Sequence, residues 1–150
     1  MGVPTGAHFA RTHKVTIYDP DQDKINTIKK VVRNESDDLH IHEKDLNELL
    51  RENRQNLCLT SDLKEALRRP EFIFIAVGTP PNEKGRANLK YVCAAAEQIA
   101  EHLENDCIIL NKSTVPPGTA YLVQDIINNK VKSDVKIAVG SCPEFLAEGT

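Results

Sequence analysis

The 150 residues carry 27% charged and 40% hydrophobic side chains with a formal net charge of −3, which is the balance of a soluble domain with room for one core. No basic block points to nucleic acid or an anionic membrane as a partner, and no apolar run reaches the roughly 18 residues of a membrane span. The N-terminus has no signal-peptide pattern, and Cys58, Cys93, Cys107 and Cys142 are widely spaced without a C-x-x-C. Neither a disulfide framework nor a metal site is indicated, and a reducing, cytoplasmic setting is expected.

A helix is predicted from Val3 to Thr12, beginning at Gly2, and Val15-Thr16-Ile17-Tyr18-Asp19 reads as a buried strand ending in an acid. Asp21 to Val32 places Ile25, Ile28, Val31 and Val32 at helical spacing, with Asp21 suited to the N-terminus. Asn34 to Lys44 reads as a polar loop; its His40-Ile41-His42 lacks a third convergent metal ligand. Asp45 to Arg54 gives a short helix with Leu46, Leu49 and Leu50 on one side. Leu57 to Thr60 is a strand, and Ser61 is expected to cap a helix from Asp62 to Arg69.

Glu71 to Val77, EFIFIAV, is nearly all apolar and β-prone, the pattern of a strand buried on both faces of a parallel sheet. A loop rich in Gly and Pro, Gly78 to Arg86, leads to a helix from Asn88 to Leu103 with an alanine-rich face. Cys107 to Leu110 is another buried strand, Gly118 to Asn129 a helix, and Val135 to Val139 a last strand. Cys93 and Cys107 fall in apolar runs and are read as core. Strands alternating with helices, without repeat or linker, predict one doubly wound α/β domain with a single parallel sheet and helices on both faces.

A glycine, a helix, a strand and a terminal carboxylate form the second half of a dinucleotide-binding βαβ unit. Asp19 can accept both hydroxyls of an adenosine ribose while its charge repels a 2′-phosphate, favouring NAD over NADP; an acid there also suits the turn at Pro20-Asp21. Three loops follow later strands: Gly78-Thr79-Pro80-Pro81, Asn111 to Pro116, and Ser141 to Gly149. Loops at the carboxyl ends of strands line the ligand crevice in open α/β sheets. Each is also readable as a plain turn, and Glu144 and Glu148 as solvated acids sharing a helix face. Cys142 is a candidate nucleophile by position, with no histidine nearby in sequence to activate it.

Together the stretches GVPTGAHFA, VTIYDPDQDKI, LTSDLKEAL, FIFIAVGTP, GRANLKYV, KSTVPPGTA and PEFLAEGT, in order along almost the whole chain, resemble the nucleotide-sugar dehydrogenases of the UDP-glucose/GDP-mannose dehydrogenase family, and most closely the members that oxidise UDP-glucose. KSTVP followed about thirty residues later by PEFLAEG is the most specific element. The resemblance implies a Rossmann-like fold, NAD as cofactor, a UDP-sugar substrate, and two successive oxidations of UDP-glucose to UDP-glucuronate through an adduct on a cysteine. It implies cofactor contacts from Gly2 at the pyrophosphate, from Asp19 and Lys24 at the adenosine ribose, and from Val77, Gly78, Thr79, Pro80, Ser113 and Thr114 around the nicotinamide half. Glu144 resembles the family's carboxylate beside the reacting carbon, where with Thr114 it holds a water; these two are the catalytic candidates. Glu148 resembles a further cofactor contact, and Glu144, Phe145, Leu146, Ala147 and Glu148 one wall of the sugar site. Full-length members are expected to be homo-oligomers.

The chain departs from the family at several positions. Asn111 stands where an acid commonly precedes the lysine, Cys142 where Asn is usual, Gly78 where a polar residue is usual, and Asn88 where Asp is usual. An EPGL-like stretch reads Glu43-Lys44-Asp45-Leu46. By the same resemblance the nucleophilic cysteine, the catalytic lysine and the UDP-binding domain lie beyond Thr150, and the central first strand lies before Met1. Residues 1–150 are therefore expected to be an incomplete, N-terminal NAD-binding domain, inactive alone, with a gap or direct pairing between the strands of Ile17 and Ile75. The alternatives are a non-catalytic fragment that binds a full-length dehydrogenase, and a dehydrogenase for another UDP- or GDP-sugar.

Overall fold

A computed structural model describes residues 2–41, 43–83, 85–132 and 134–143. The chain divides into two compact units, Met1–Ala66 and Leu67–Thr150, each with its own parallel sheet.

The first unit contains α1 (Gly2–Phe9), β1 (Val15–Tyr18), α2 (Gln22–Val32), α3 (Leu46–Glu52), β2 (Leu57–Thr60) and α4 (Leu63–Ala66). β1 and β2 run parallel, with Val15 opposite Leu57 and Tyr18 opposite Thr60. The helical spacing legible in the sequence is the one that buries the core: Ile25, Ile28 and Val31 of α2 join Ala7 of α1, Leu39, and Leu46 and Leu50 of α3. A Cβ on Gly6 would lie 3.0 Å from both Cδ1 and Cγ1 of Ile17, so the missing side chain lets α1 close onto β1. Asp21 caps α2 as expected, its carboxylate accepting the N–H of Asp23 at 3.0 Å and of Lys24 at 3.3 Å. Asn34, in the left-handed region at φ 62°, follows the end of that helix.

Ser61 is not the cap of α4. Its hydroxyl donates to the Gln22 side chain, while Thr60 Oγ1 accepts the Asp62 N–H at 3.0 Å and Asp62 Oδ1 accepts the Lys64 N–H at 2.9 Å. Two local side-chain turns thus take the amides that a serine cap would satisfy. The helix is also shorter than its apolar pattern, and Arg69 adopts a left-handed φ of 62° through which no α-helix can run.

The second unit contains β3 (Phe72–Ile75), α5 (Lys90–His102), β4 (Cys107–Asn111), α6 (Thr119–Lys130) and β5 (Ile137–Ser141). Its strands lie in the order β3-β4-β5, all parallel, with Ile75 opposite Asn111 and Asn111 opposite Ser141. α5 and α6, the helices of the two successive crossovers, pack against each other, and Lys130 of α6 meets Glu101 at 3.0 Å and Glu97 at 3.6 Å, both on α5. The alanine-rich side of α5 is inward: Ala96 and Ala100 are buried with Val92, Ile99, Val123 and Ile127. Cys107, Ile109 and Asn111 form the buried row of β4.

β3 is not buried on both faces: Phe72 is 54% exposed, as is 39% of its register partner Ile108. β5 starts two residues later than its apolar run because a turn from Lys132 to Val135 and the Asp106 carboxylate, which accepts the Lys136 N–H at 2.7 Å, hold the segment before it. The five strands form two sheets rather than the expected one. Among the described residues no helix is long and apolar enough to cross a membrane.

Candidate functional site

In the first unit the predicted ribose acid and its lysine come together. Asp19 directly follows β1, and its Oδ1 accepts the Asp21 N–H at 2.9 Å. Its Oδ2 lies 3.6 Å from Lys24 Nζ, which also stands 4.0 Å from Asp21 Oδ2. The Lys24 side chain is 64% exposed, so the pair is screened by solvent and adds little to stability. Its importance is placement: an oriented carboxylate at the carboxyl end of a parallel strand keeps free lone pairs for two hydroxyl donors. The neighbouring Tyr18 phenol is pushed above its usual range by burial, and further by the charges of Asp19 and Asp62. Gly2 is the first residue of α1 and half-buried.

In the second unit the two predicted loops are bound to each other. The N–H groups of Lys112 and Ser113 both donate to the Ile75 carbonyl, at 2.9 and 3.3 Å, carrying the β3–β4 pairing beyond the strands. Ser113 Oγ then donates to the Val77 carbonyl at 2.6 Å, and Thr79 Oγ1 donates to the Thr114 carbonyl at 3.0 Å. Each loop gives the other one hydroxyl bond, in opposite directions. Pro80 is fixed from the far side, where its carbonyl accepts the Asn88 N–H at 2.9 Å. A Cβ on Gly78 would meet nothing within 4 Å, so packing does not demand glycine here, and the backbone of this turn stays open to a ligand.

Ser113 is buried and its proton is committed to Val77, so it holds the loop, whereas Thr114 is exposed. Asn111, at the end of β4, is 1% exposed, and neither side-chain polar atom has a hydrogen-bond partner among the described residues. Sequence reasoning met Asn111 only as a departure from a family pattern. It missed Gly6 altogether, although a glycine within a helix beside a β-branched strand is the available signal.

Cys142 is exposed, and its backbone N–H donates to the Asn111 carbonyl at 2.9 Å. Cys107 is buried as expected and its thiol is pushed up to about 11, chiefly by burial and then by Asp106. Cys93 is only half-buried. Glu144, Phe145, Leu146, Ala147 and Glu148 lie outside the described residues, as does His42. Among the described residues no group of three His, Cys, Asp or Glu could hold a metal ion. A groove along α3, bordered by Asp37, Glu43, Asp45, Glu48 and Arg51, contains none of the predicted site residues.

Parallel strands with an acid closing one of them, and hydroxyl-bearing loops closing two others, are the features of a dinucleotide-binding α/β domain. Taken unit by unit, the groups suit parts of such a cofactor: in the first, a carboxylate able to accept ribose hydroxyls; in the second, open backbone at Gly78 and an exposed Thr114. The chain belongs to the UDP-glucose/GDP-mannose dehydrogenase family, whose NAD-binding domain matches residues 1–150.

Known relatives agree. The chain is 42% identical to the UDP-glucose 6-dehydrogenase TuaD of Bacillus subtilis over 100% of its own length and 32% of that protein. It is 37% identical to a UDP-glucose 6-dehydrogenase of Pseudomonas aeruginosa, covering 100% of this chain and 33% of that one. Among solved structures, a UDP-glucose dehydrogenase from Pyrobaculum islandicum superposes with a TM-score of 0.83 at 34% identity, over 99% of this chain and 34% of that chain. A GDP-mannose dehydrogenase from Pseudomonas aeruginosa gives 0.77 at 30%, over 98% and 34%. The chain thus spans about a third of the length of the curated relatives it matches.

Proposed function

We propose that residues 1–150 are the N-terminal, NAD-binding part of a dehydrogenase that oxidises UDP-glucose to UDP-glucuronate. The observation that carries this reading is the pair of loops joined through Ser113–Val77 and Thr79–Thr114 in a chain matched throughout by the family's NAD-binding domain. Asp19 and Lys24 receive the adenosine ribose, and the charge of Asp19 selects NAD over its 2′-phosphorylated form. Gly2 lies at the pyrophosphate, and Val77, Gly78, Thr79, Pro80, Ser113 and Thr114 border the nicotinamide half. When bound, NAD supplies the hydride acceptor for oxidation of a sugar alcohol. Thr114 and Glu144 hold a water for the hydrolytic step, Glu148 adds a cofactor contact, and residues 144–148 form one side of the sugar site. The full-length protein is a cytoplasmic homo-oligomer.

UDP-glucose is favoured over other sugars because the relatives at 42% and 37% identity both carry that name. The likeness to a GDP-mannose dehydrogenase supports a second reading, that of another UDP- or GDP-sugar. A protein carrying this chain at full family length should reduce NAD with UDP-glucose in preference to GDP-mannose; the reverse preference selects the second reading. The 150-residue chain by itself should form no NADH from the same reactants, because it spans only about a third of the length of the dehydrogenases it matches. NADH formation that disappears in Cys142→Ala would make Cys142 the nucleophile and overturn this assignment.

A further inference from the structure

We infer that the carboxamide of Asn111 is the binding site of one internal water molecule, at the root of the loop that carries Ser113 and Thr114. A carboxamide offers two N–H donors and an acceptor oxygen, and at Asn111 neither Nδ2 nor Oδ1 meets a protein partner among the described residues, although the residue is 1% exposed. The neighbours on its face of β4 are Ile109 and Cys107, and in register it is flanked by Ile75 and Ser141. Its carbonyl already accepts the Cys142 N–H. The buried hydroxyls that follow along the chain, Ser113 and Thr119, have their protons on the carbonyls of Val77 and Pro116. Those hydroxyl and carbonyl oxygens keep spare lone pairs and no spare protons.

The missing partner must therefore both donate and accept. It must also be small, because so enclosed a group admits no cofactor ring. Buried polar atoms without protein partners are what internal waters satisfy, typically with about three hydrogen bonds each. The inference concerns the end of β4 alone and holds whichever sugar the enzyme takes.

The direct test is magnetisation transfer from water to the Asn111 Nδ2 hydrogens in the 15N-labelled chain. Transfer with the sign of a long-lived bound molecule is expected; no transfer at Asn111, with transfer visible at exposed side-chain amides such as that of Asn128, would overturn the assignment. The second test is Asn111→Leu, close in volume but without polar atoms. If a water is bound, its other partners lose a bond and the denaturation midpoint falls, while the Ser113 and Thr114 amides exchange about tenfold faster as their anchor loosens. If the carboxamide is bare, its removal leaves the midpoint unchanged or raises it, which refutes the water. Should the variant not fold, the transfer measured on the unsubstituted chain decides.

Discussion

The hydroxyl of Ser113 donates to the carbonyl oxygen of Val77 across 2.6 Å, joining the loop after β4 to the loop after β3. The return bond from Thr79 to the Thr114 carbonyl is 3.0 Å long. A neutral hydrogen bond contributes about 0.5–1.5 kcal/mol net, and more where its loss leaves a buried group unpaired. Ser113→Ala should therefore destabilise the chain by about 1–2 kcal/mol, and Thr79→Val by less, because that bond lies in solvent. The two bonds hold the same pair of loops, so the double variant should deviate from additivity by about 0.5 kcal/mol or more. Denaturant unfolding of the four proteins measures this, and strict additivity would mean that each hydroxyl acts alone.

Gly6 should not tolerate a side chain. The first added carbon already sits 3.0 Å from two atoms of Ile17, and Gly6→Val adds two more. Ile17 is buried, so overpacking should cost about 1–3 kcal/mol, read as a lower unfolding midpoint. An unchanged midpoint would show that α1 can lift from β1 freely.

Asp19→Ala should weaken NAD more than NADP. Hydrogen bonds to a charged group contribute about 1.5–3 kcal/mol, and the same charge is what repels a 2′-phosphate. Asp19→Asn retains an oxygen for the Asp21 N–H and loses the charge, so it separates local folding from ribose recognition. Calorimetric titration with both nucleotides tests the pair; equal losses for NAD and NADP in both variants would remove Asp19 from the site.

Stability should fall in alkali through Cys107. Its folded thiol keeps its proton up to about 11, whereas an unfolded cysteine ionises near 8.5. Between these values the unfolded chain binds fewer protons, so raising the pH favours unfolding, at most about 1.4 kcal/mol per unit for one group. The contribution is intact below about 8.5 and lost progressively towards about 11. Tyr18, also raised, acts in the same direction above its ordinary range. Cys107→Ala should flatten the slope of midpoint against pH; an unchanged slope would assign the loss to other groups. In alkylation, Cys58 and Cys142, both exposed, should react long before Cys107.

Element type was legible wherever a period was strong: Ile25, Ile28 and Val31 on α2, and the alanine face of α5, are buried as their spacing requires. Boundaries failed where a side chain competed with the backbone, as when Thr60 and Asp62 displaced Ser61. The apolar run EFIFIAV could not reveal that Phe72 stays exposed, because its composition reports the hydrophobicity of a strand and not what covers each face. Site residues could be named from strand ends and a family pattern. That Ser113 faces Val77, and that the Asn111 side chain is enclosed without a partner among the described residues, depends on packing between segments distant in sequence.

The most direct measurement of the cofactor assignment is titration of the 15N-labelled chain with NAD, followed residue by residue. The largest amide shifts are predicted at Asp19, Lys24, Val77, Gly78, Thr79, Ser113 and Thr114, reduced on substituting NADP and diminished by Asp19→Ala. Shifts confined to other surfaces, such as the groove of Asp37 and Glu48 along α3, or no shift at any concentration of NAD, would contradict it.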